Sequence, residues 1–509
     1  MTFTSVLMLF AILAYLVVVV GIGVVLAKRN QTTEDFYLGG RKLGPFVTAM
    51  SAEASDMSSW LLMGLPGVAY VTGLADAAWT AIGLVIGTYI NWLVVAKRLR
   101  HYTHACGNAT TLPLFFSNRY RDEKKVLSVI AAVLIIIFFV PYTASGFAAC
   151  GKLFSSLFGW DYMPAMVISA VVIVAYTTLG GFLAASTSDF LQSIIMTIAI
   201  IVVFVFGISN VGSFGAVIDN AKSMAGYFSL TQIYDPVTKS AAPYGALTIA
   251  SMLAWGLGYF GMPHVLLRFM AIEDASKLAL SRRVASIWVV ISMTVAIFIG
   301  VIGNAMTKAG SLLELQDAET VIITIADLIS KHGVLAALVA GVILAGILAA
   351  TMSTADSQLL AASSSASQNI LKEVFVKDMD EKTGILVARI TVVVIALVGV
   401  FIARDSNSSV FQIVSFAWAG FGASFGPLVL LALFWKRSNM QGALAGMVCG
   451  GVMVFVWKFL VRPMGGILGI YELLPAFLVA LLANVVVSLL TAPPAQEVQE
   501  EFERVSAMK

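Results

Sequence analysis

The chain has 509 residues, 59% of them hydrophobic and 12% charged, and a formal net charge of +3. Ordinary globular proteins are about 45–50% apolar and about 25% charged, so a body this size has too little polar surface for water and belongs in a bilayer. Basic residues lie in short clusters between apolar runs, which excludes the continuous stripe that nucleic acid needs.

Thirteen apolar runs reach the roughly 20 residues that a helix needs to cross a bilayer. They lie at 4–27, 44–73, 76–97, 126–156, 162–183, 189–210, 244–270, 284–306, 334–366, 384–403, 409–435, 440–461 and 472–491. The first is too long for a signal sequence and has no basic region ahead of it, so it counts as a span. Three cysteines (Cys106, Cys150, Cys449), with no CxxC pair or Cys/His cluster, give neither a disulfide framework nor a zinc site.

An odd number of crossings puts the termini on opposite sides. Most of the 31 basic residues fall in one set of loops. These hold Lys28, Arg29, Arg41 and Lys42, then Lys97, Arg98, Arg100, Arg119, Arg121, Lys124 and Lys125. Further along come Arg268, Lys277, Arg282, Arg283, Lys372, Lys377, Lys382, Arg389, Lys436, Arg437, Arg504 and Lys509. Positive charge marks the cytoplasmic side, so the N-terminus is expected outside and the tail, 492–509, in the cytoplasm. The chain reads as one membrane domain, 1–491, and the tail leaves no room for a soluble domain. Two long loops, around 211–243 and 307–333, fall outside, and Ala318 to Leu328 is expected to lie along the surface as a short amphipathic helix.

Two spans are broken. The second runs Ser51-Ala-Glu-Ala-Ser-Asp-Met-Ser-Ser-Trp60 and on to Gly64, Pro66 and Gly67; the seventh holds Trp255, Gly256, Gly258, Tyr259, Gly261 and Pro263. Glycine frees the backbone and proline removes a donor, so neither stretch is a good continuous helix. Unwound backbone survives at membrane depth only inside protein or beside a cavity. Each break opens a group of five spans, two to six and seven to eleven. Broken helices at matching places in two halves point to a transporter site between inverted repeats.

In span nine, Ala350, Ser353, Thr354 and Ser357 share one helix face by the i, i+3, i+4, i+7 rule. Two hydroxyls, together with carbonyls freed at the second span, make a set of oxygen ligands suited to a small hard cation. Helix packing uses the same residue types, so spacing alone leaves both uses open. Asp56 favours the ion, because a carboxylate inside a span is costly and is read as functional. Glu53 and Asp356 lie in the same two spans and compete for that role. Trp60, Tyr142, Trp255 and Tyr259 border the breaks, and their faces suit a small ring-bearing or cationic ligand. Singly, each is also an ordinary packing residue.

At Tyr37–Arg41, Ala54–Ser58, Trp60–Gly67, Tyr176–Phe182, Trp255–Arg268, Met352–Thr354 and Phe416–Pro427 the chain resembles the solute:sodium symporter family. The resemblance runs over nearly the full length and is strongest to the proline-carrying branch. It implies an all-α integral membrane protein with a leucine-transporter-like core of two five-helix inverted repeats, 44–210 and 244–435. One extra helix, 4–27, would precede the core and two, 440–491, would follow it. It implies sodium-driven uptake of L-proline through the cell membrane, with another small amino acid or a carboxylate as the alternative.

By that resemblance the sodium ligands are the carbonyls of Ala54, Met57 and Ala350 and the hydroxyls of Ser353 and Thr354, with Asp56 and Ser58 close by. The substrate pocket would use Trp60, Gly64, Tyr142, Trp255, Tyr259 and Pro263. Arg41 and Asp189 match positions linked to coupling and the inner ion path. Glu53, Ser59, Asp356 and Ser357 depart from the family pattern. Sodium serves as coupling ion with no cofactor besides. The partners implied are proline, sodium and the lipid bilayer, with no nucleic acid and no obligate protein partner. An enzyme is not expected, since no paired acid and base or nucleophile appears among the spans.

Overall fold

The computed structural model describes residues 2–28, 31–376 and 379–508. Arg29, Lys377 and Lys509, three of the basic residues that set the expected orientation, lie outside the described residues. Helix α1 is Phe3–Ala27. The second span is α2, Pro45–Ser59, a π-helical turn at Trp60–Gly64, and α3, Leu65–Thr72. Next come α4 (Leu74–Ile90), α5 (Ala96–Ala105), α6 (Val126–Phe158) and α7 (Tyr162–Val211).

An antiparallel hairpin, β1 (Gln232–Asp235) and β2 (Ser240–Pro243), pairs Gln232 with Pro243 in the loop that follows. The seventh span is α8, Ala246–Leu253, a 3₁₀ stretch at Ala254–Gly261, and α9, Pro263–Ala271. The chain continues through α10 (Leu278–Lys308), α11 (Val321–Ser330), α12 (Val334–Ser364) and α13 (Glu381–Ile402). It ends with α14 (Val410–Phe434), α15 (Met440–Val456), α16 (Leu473–Leu490) and α17 (Gln496–Ala507).

Ten helices among the described residues are long and apolar enough to cross a membrane. One of them, α7, is 50 residues long and holds two crossings, because its backbone turns at Gly181 (φ 63°, ψ −168°). That conformation is open to glycine and closed to nearly every other residue. Spans five and six therefore meet in a corner with no loop between them, where the sequence reading separated them at 184–188. With the two broken spans, the number of crossings agrees with the thirteen expected.

The breaks have local causes. At Ser58 the backbone takes φ 49° and ψ −171°, a region that costs a non-glycine residue of order 1–3 kcal/mol. The Ser58 hydroxyl offsets part of that by accepting from the Trp60 N–H at 3.0 Å. In the seventh span Pro263 opens α9 and holds Met262 extended at φ −77°, ψ 107°, as a residue before proline must be. Proline at the first turn lacks only a donor that would have gone unused there.

The stretch from Ala318 does form a short helix, but it is not laid along the surface. Val321, Ile322, Ile323, Ile325, Ala326 and Ile329 of α11 are buried, so its apolar side is spent on the body of the protein. The tail also folds back. Val498, Phe502 and Val505 of α17 are buried, and Glu501 pairs with Arg121 at 2.7 Å while Glu503 pairs with Lys436.

Candidate substrate and ion site

The unwound middle of the second span, the 3₁₀ stretch of the seventh, and helices α4, α6, α12 and α14 surround the site. From α12, the Ser353 hydroxyl donates to the carbonyl oxygens of Ala54 at 2.8 Å and Ala350 at 3.1 Å. Thr354 Oγ1 lies 3.5 Å from the same Ala54 oxygen. Met57, one turn on, gives its carbonyl to the Trp60 N–H. The Ala54 oxygen of α2 thus meets the hydroxyl face of α12. All five residues are buried.

Beside this cluster lies a small cavity lined by Asp56, Met57, Trp60, Leu84, Tyr142, Trp255, Val414 and Trp418. Asp56 is braced from two sides. The Tyr259 hydroxyl donates to its Oδ2, and the Tyr142 hydroxyl donates to its backbone oxygen at 3.2 Å. Trp60 and Trp255 sit 5.5 Å apart between ring centres, and Phe411 caps both, at 5.8 Å and 5.6 Å. Trp418 donates its indole N–H to the Trp255 carbonyl at 2.8 Å and meets Tyr259 edge-on at 5.0 Å. The approach depends on Gly258, where a Cβ would fall 2.0 Å from the Trp418 indole nitrogen.

Of the residues expected in the pocket, Trp60, Tyr142 and Trp255 line the cavity, and Tyr259 stands behind Asp56. Gly64 lies one turn further along the chain, against Trp60 and Phe411, and lines a separate cavity that it shares with Asp76, Lys152 and Glu319. Pro263 is not among the lining residues; it sets the start of α9. Leu84, Val414, Trp418 and Phe411 were not assigned from the sequence. Trp418 lies inside the quoted Phe416–Pro427 motif, which marked the stretch without marking its use.

The three competing acids occupy different places. Glu53 turns to α4 and the turn after it, where Thr88 and the Trp92 indole donate to its Oε1 at 3.1 and 2.9 Å. Asp356 accepts from Ser357 at 3.1 Å. Only Asp56 lines the cavity.

Asp189 lies elsewhere, in a buried knot with Arg268 of α9. Arg268 donates to Asp189 at 3.2 Å, to Ser357 at 2.6 Å and to Ser51 at 2.9 Å, and Ser51 donates to Asp189 at 2.6 Å. Arg41 is separate again, donating to the carbonyls of Met270 at 2.6 Å and Ala109 at 2.7 Å.

Charge gathers at the end of the site next to α11. Glu319, just before α11, pairs with Lys152 at 2.9 Å and accepts from the Ser409 hydroxyl at 2.8 Å. It also takes the backbone N–H groups of Val410 and Phe411, at 3.1 and 3.0 Å, which are free donors at the start of α14. Asp317 holds the same lysine at 2.8 Å.

Residues 36–450 match the family model described as the sodium:solute symporter family. The chain belongs to that family. It is 42% identical over 489 residues to a protein of Haemophilus influenzae named sodium/proline symporter, covering 95% of this chain and 94% of that one. A Staphylococcus aureus protein of the same name is 40% identical over 484 residues, covering 94% and 91%.

Among solved structures, the fold is similar to a substrate-bound, outward-open sodium-coupled sialic acid symporter, with a TM-score of 0.79 at 17% identity over 96% of this chain and 99% of that one. It is also similar to a nucleobase-cation-symport-1 family transporter, with a TM-score of 0.52 at 14% identity over 92% and 98%. The fold is the leucine-transporter-like one. This family member is a multi-pass membrane transporter, and it is not an enzyme.

Proposed function

We propose that the protein drives uptake of L-proline with inward sodium flow, by alternating access. The observation that carries this reading is the meeting of the Ser353 and Thr354 hydroxyls with the Ala54 carbonyl, next to a cavity walled by Trp60, Tyr142, Trp255 and Trp418 with Asp56 at its edge. Sodium is a hard cation that takes oxygen ligands. Carbonyls of Ala54, Met57 and Ala350 and the two hydroxyls would hold it, once the hydroxyl protons now on carbonyls rotate away. Asp56 supplies fixed negative charge nearby, which lowers the cost of stripping water from the ion. Ser58 serves the ion indirectly, through the backbone break it makes.

The cavity is small as it stands, and its aromatic walls suit a compact ring. The relatives named sodium/proline symporter support proline over other small solutes. Ion and substrate are coupled because α2 contributes to both places. Asp189 and Arg268 tie α7 to α9 across Ser51 of α2, so the inner limbs of both broken spans move together. Arg41 fastens the loop ahead of α2 to the end of α9. The basic loops and α17 share one side, which we assign to the cytoplasm, with the N-terminus outside. Labelled proline uptake into proteoliposomes, with and without an imposed sodium gradient, tests the reading; equal uptake in both would overturn it.

A further inference from the structure

Three polar side-chain atoms of the cavity's lining residues find no hydrogen-bond partner among the described residues: the indole nitrogens of Trp60 and Trp255 and Oδ1 of Asp56. All three residues are at least nine-tenths buried, at 3%, 2% and 6% exposed. The other polar groups of the wall are spoken for, the Tyr142 hydroxyl by Asp56 and the Trp418 indole by Trp255. A buried polar atom without a protein partner that belongs to a cavity wall calls for a water or a ligand to answer it. Here they form a complementary set, two neutral N–H donors and one carboxylate acceptor.

We propose that these three atoms read the two ends of a zwitterion: the indole N–H groups of Trp60 and Trp255 donate to the substrate carboxylate, and Asp56 Oδ1 accepts from its ammonium group. The inference rests on the proposed transport of a small amino acid and says how that amino acid is recognised. Charge balance favours it. An amino acid zwitterion brings no net charge, so one sodium ion answers the one carboxylate in the cavity wall. A carboxylate received by an arginine or lysine would upset that balance, and among the described residues none lines the cavity. Neutral indole donors satisfy the anion without adding charge to the membrane interior.

The arrangement also fixes which neighbours position the readers. Tyr259 holds the far oxygen of Asp56, leaving Oδ1 free, and Trp418 pins the backbone of Trp255. Tyr471 stacks on the outer face of the Trp255 ring at 5.0 Å. Discrimination of this kind is strong, because a ligand lacking the matching group leaves buried polar atoms unpaired.

The test is competition of labelled proline uptake by proline, by pyrrolidine, which lacks the carboxylate, and by tetrahydrofuran-2-carboxylate, which lacks the amine, all at saturating sodium. Trp60→Phe and Trp255→Phe are expected to weaken proline about tenfold, as loss of a hydrogen bond to a charged group does, and to leave pyrrolidine within about twofold. Loss of ring area would weaken both ligands alike, so an equal drop for the two overturns the indole assignment. Asp56→Asn is expected to weaken proline and leave tetrahydrofuran-2-carboxylate unchanged. If it raises the sodium requirement while the ratio between those two ligands stays as in the wild type, Asp56 serves only the ion and the ammonium assignment falls. Membrane content of each variant is measured alongside. If the wild type carries another amino acid in place of proline, the substrate reading fails and the same cycle, run on that amino acid and its decarboxylated amine, still decides this one. Transport of uncharged solutes alone would overturn it.

Discussion

The hydroxyl of Ser353 and the carbonyl of Ala54 lie 2.8 Å apart although 299 positions separate them in the chain. Ala54 lies on α2 and Ser353 on α12, so the contact joins two distant segments at the proposed ion site. Replacing Ser353 or Thr354 with Ala removes an oxygen ligand, and about tenfold more sodium should be needed for half-maximal uptake, the ratio set by about 1.4 kcal/mol. Apparent proline affinity should fall too, since coupling between two ligands is reciprocal. A sodium titration of uptake checks both, and an unchanged curve would make these hydroxyls packing groups.

Asp56 faces the cavity while Glu53 and Asp356 point to α4 and to Ser357. Asp56→Asn should therefore raise the sodium requirement most, and Asp56→Glu, which keeps the charge, should be milder. Glu53→Gln and Asp356→Asn should shift the curve less than Asp56→Asn. The sodium dependence of uptake across the four variants at one external pH ranks the acids, and a larger effect at Glu53 or Asp356 would show that the wrong one was chosen.

Tyr259 acts on the site through its hydroxyl. Tyr259→Phe keeps the ring beside Trp418 and removes the donor to Asp56, a bond of a kind worth about 1.5–3 kcal/mol. The expected outcome is a proline KM raised roughly tenfold, with protein level in the membrane unchanged. Tyr259→Ala should be worse, because the aromatic contact goes as well. Wild-type transport by the Phe variant would mean that Asp56 needs no brace.

Gly258 permits the close passage of Trp418. With a Cβ 2.0 Å from the indole nitrogen, Gly258→Ala must push Trp418 off the Trp255 carbonyl. Overpacking of this kind costs about 1–3 kcal/mol, so the purified variant should melt several degrees lower and bind proline more weakly. Trp418→Phe in the same background should recover part of the stability by making room, which a melting curve of the double variant would reveal.

The breaks were legible because glycine and proline at membrane depth leave few continuous alternatives, and the hydroxyl face of α12 followed from helical spacing. What the sequence could not supply was partnership. Nothing in a run of apolar residues distinguishes Leu84 or Val414 from lipid-facing neighbours, and Trp418 becomes a wall only through the approach at Gly258. Glu319 was hidden for a different reason. Its stretch reads as a surface helix because its apolar side is narrow, yet that side is buried and its carboxylate answers the free donors at the start of α14. The tail did carry a signal, apolar residues at 498, 502 and 505 at helical spacing, but high charge concealed it.

The β1–β2 hairpin offers a practical handle. Its tip residue Val237 is 88% exposed, whereas Cys106 and Cys150 are buried and Cys449 is half-buried. A thiol introduced at Val237 should thus react with a bulky, membrane-impermeant maleimide far faster than the native three. In intact cells, rapid labelling at that position would place the hairpin on the outer face, and labelling only after the membrane is permeabilised would reverse the topology assigned from the basic loops.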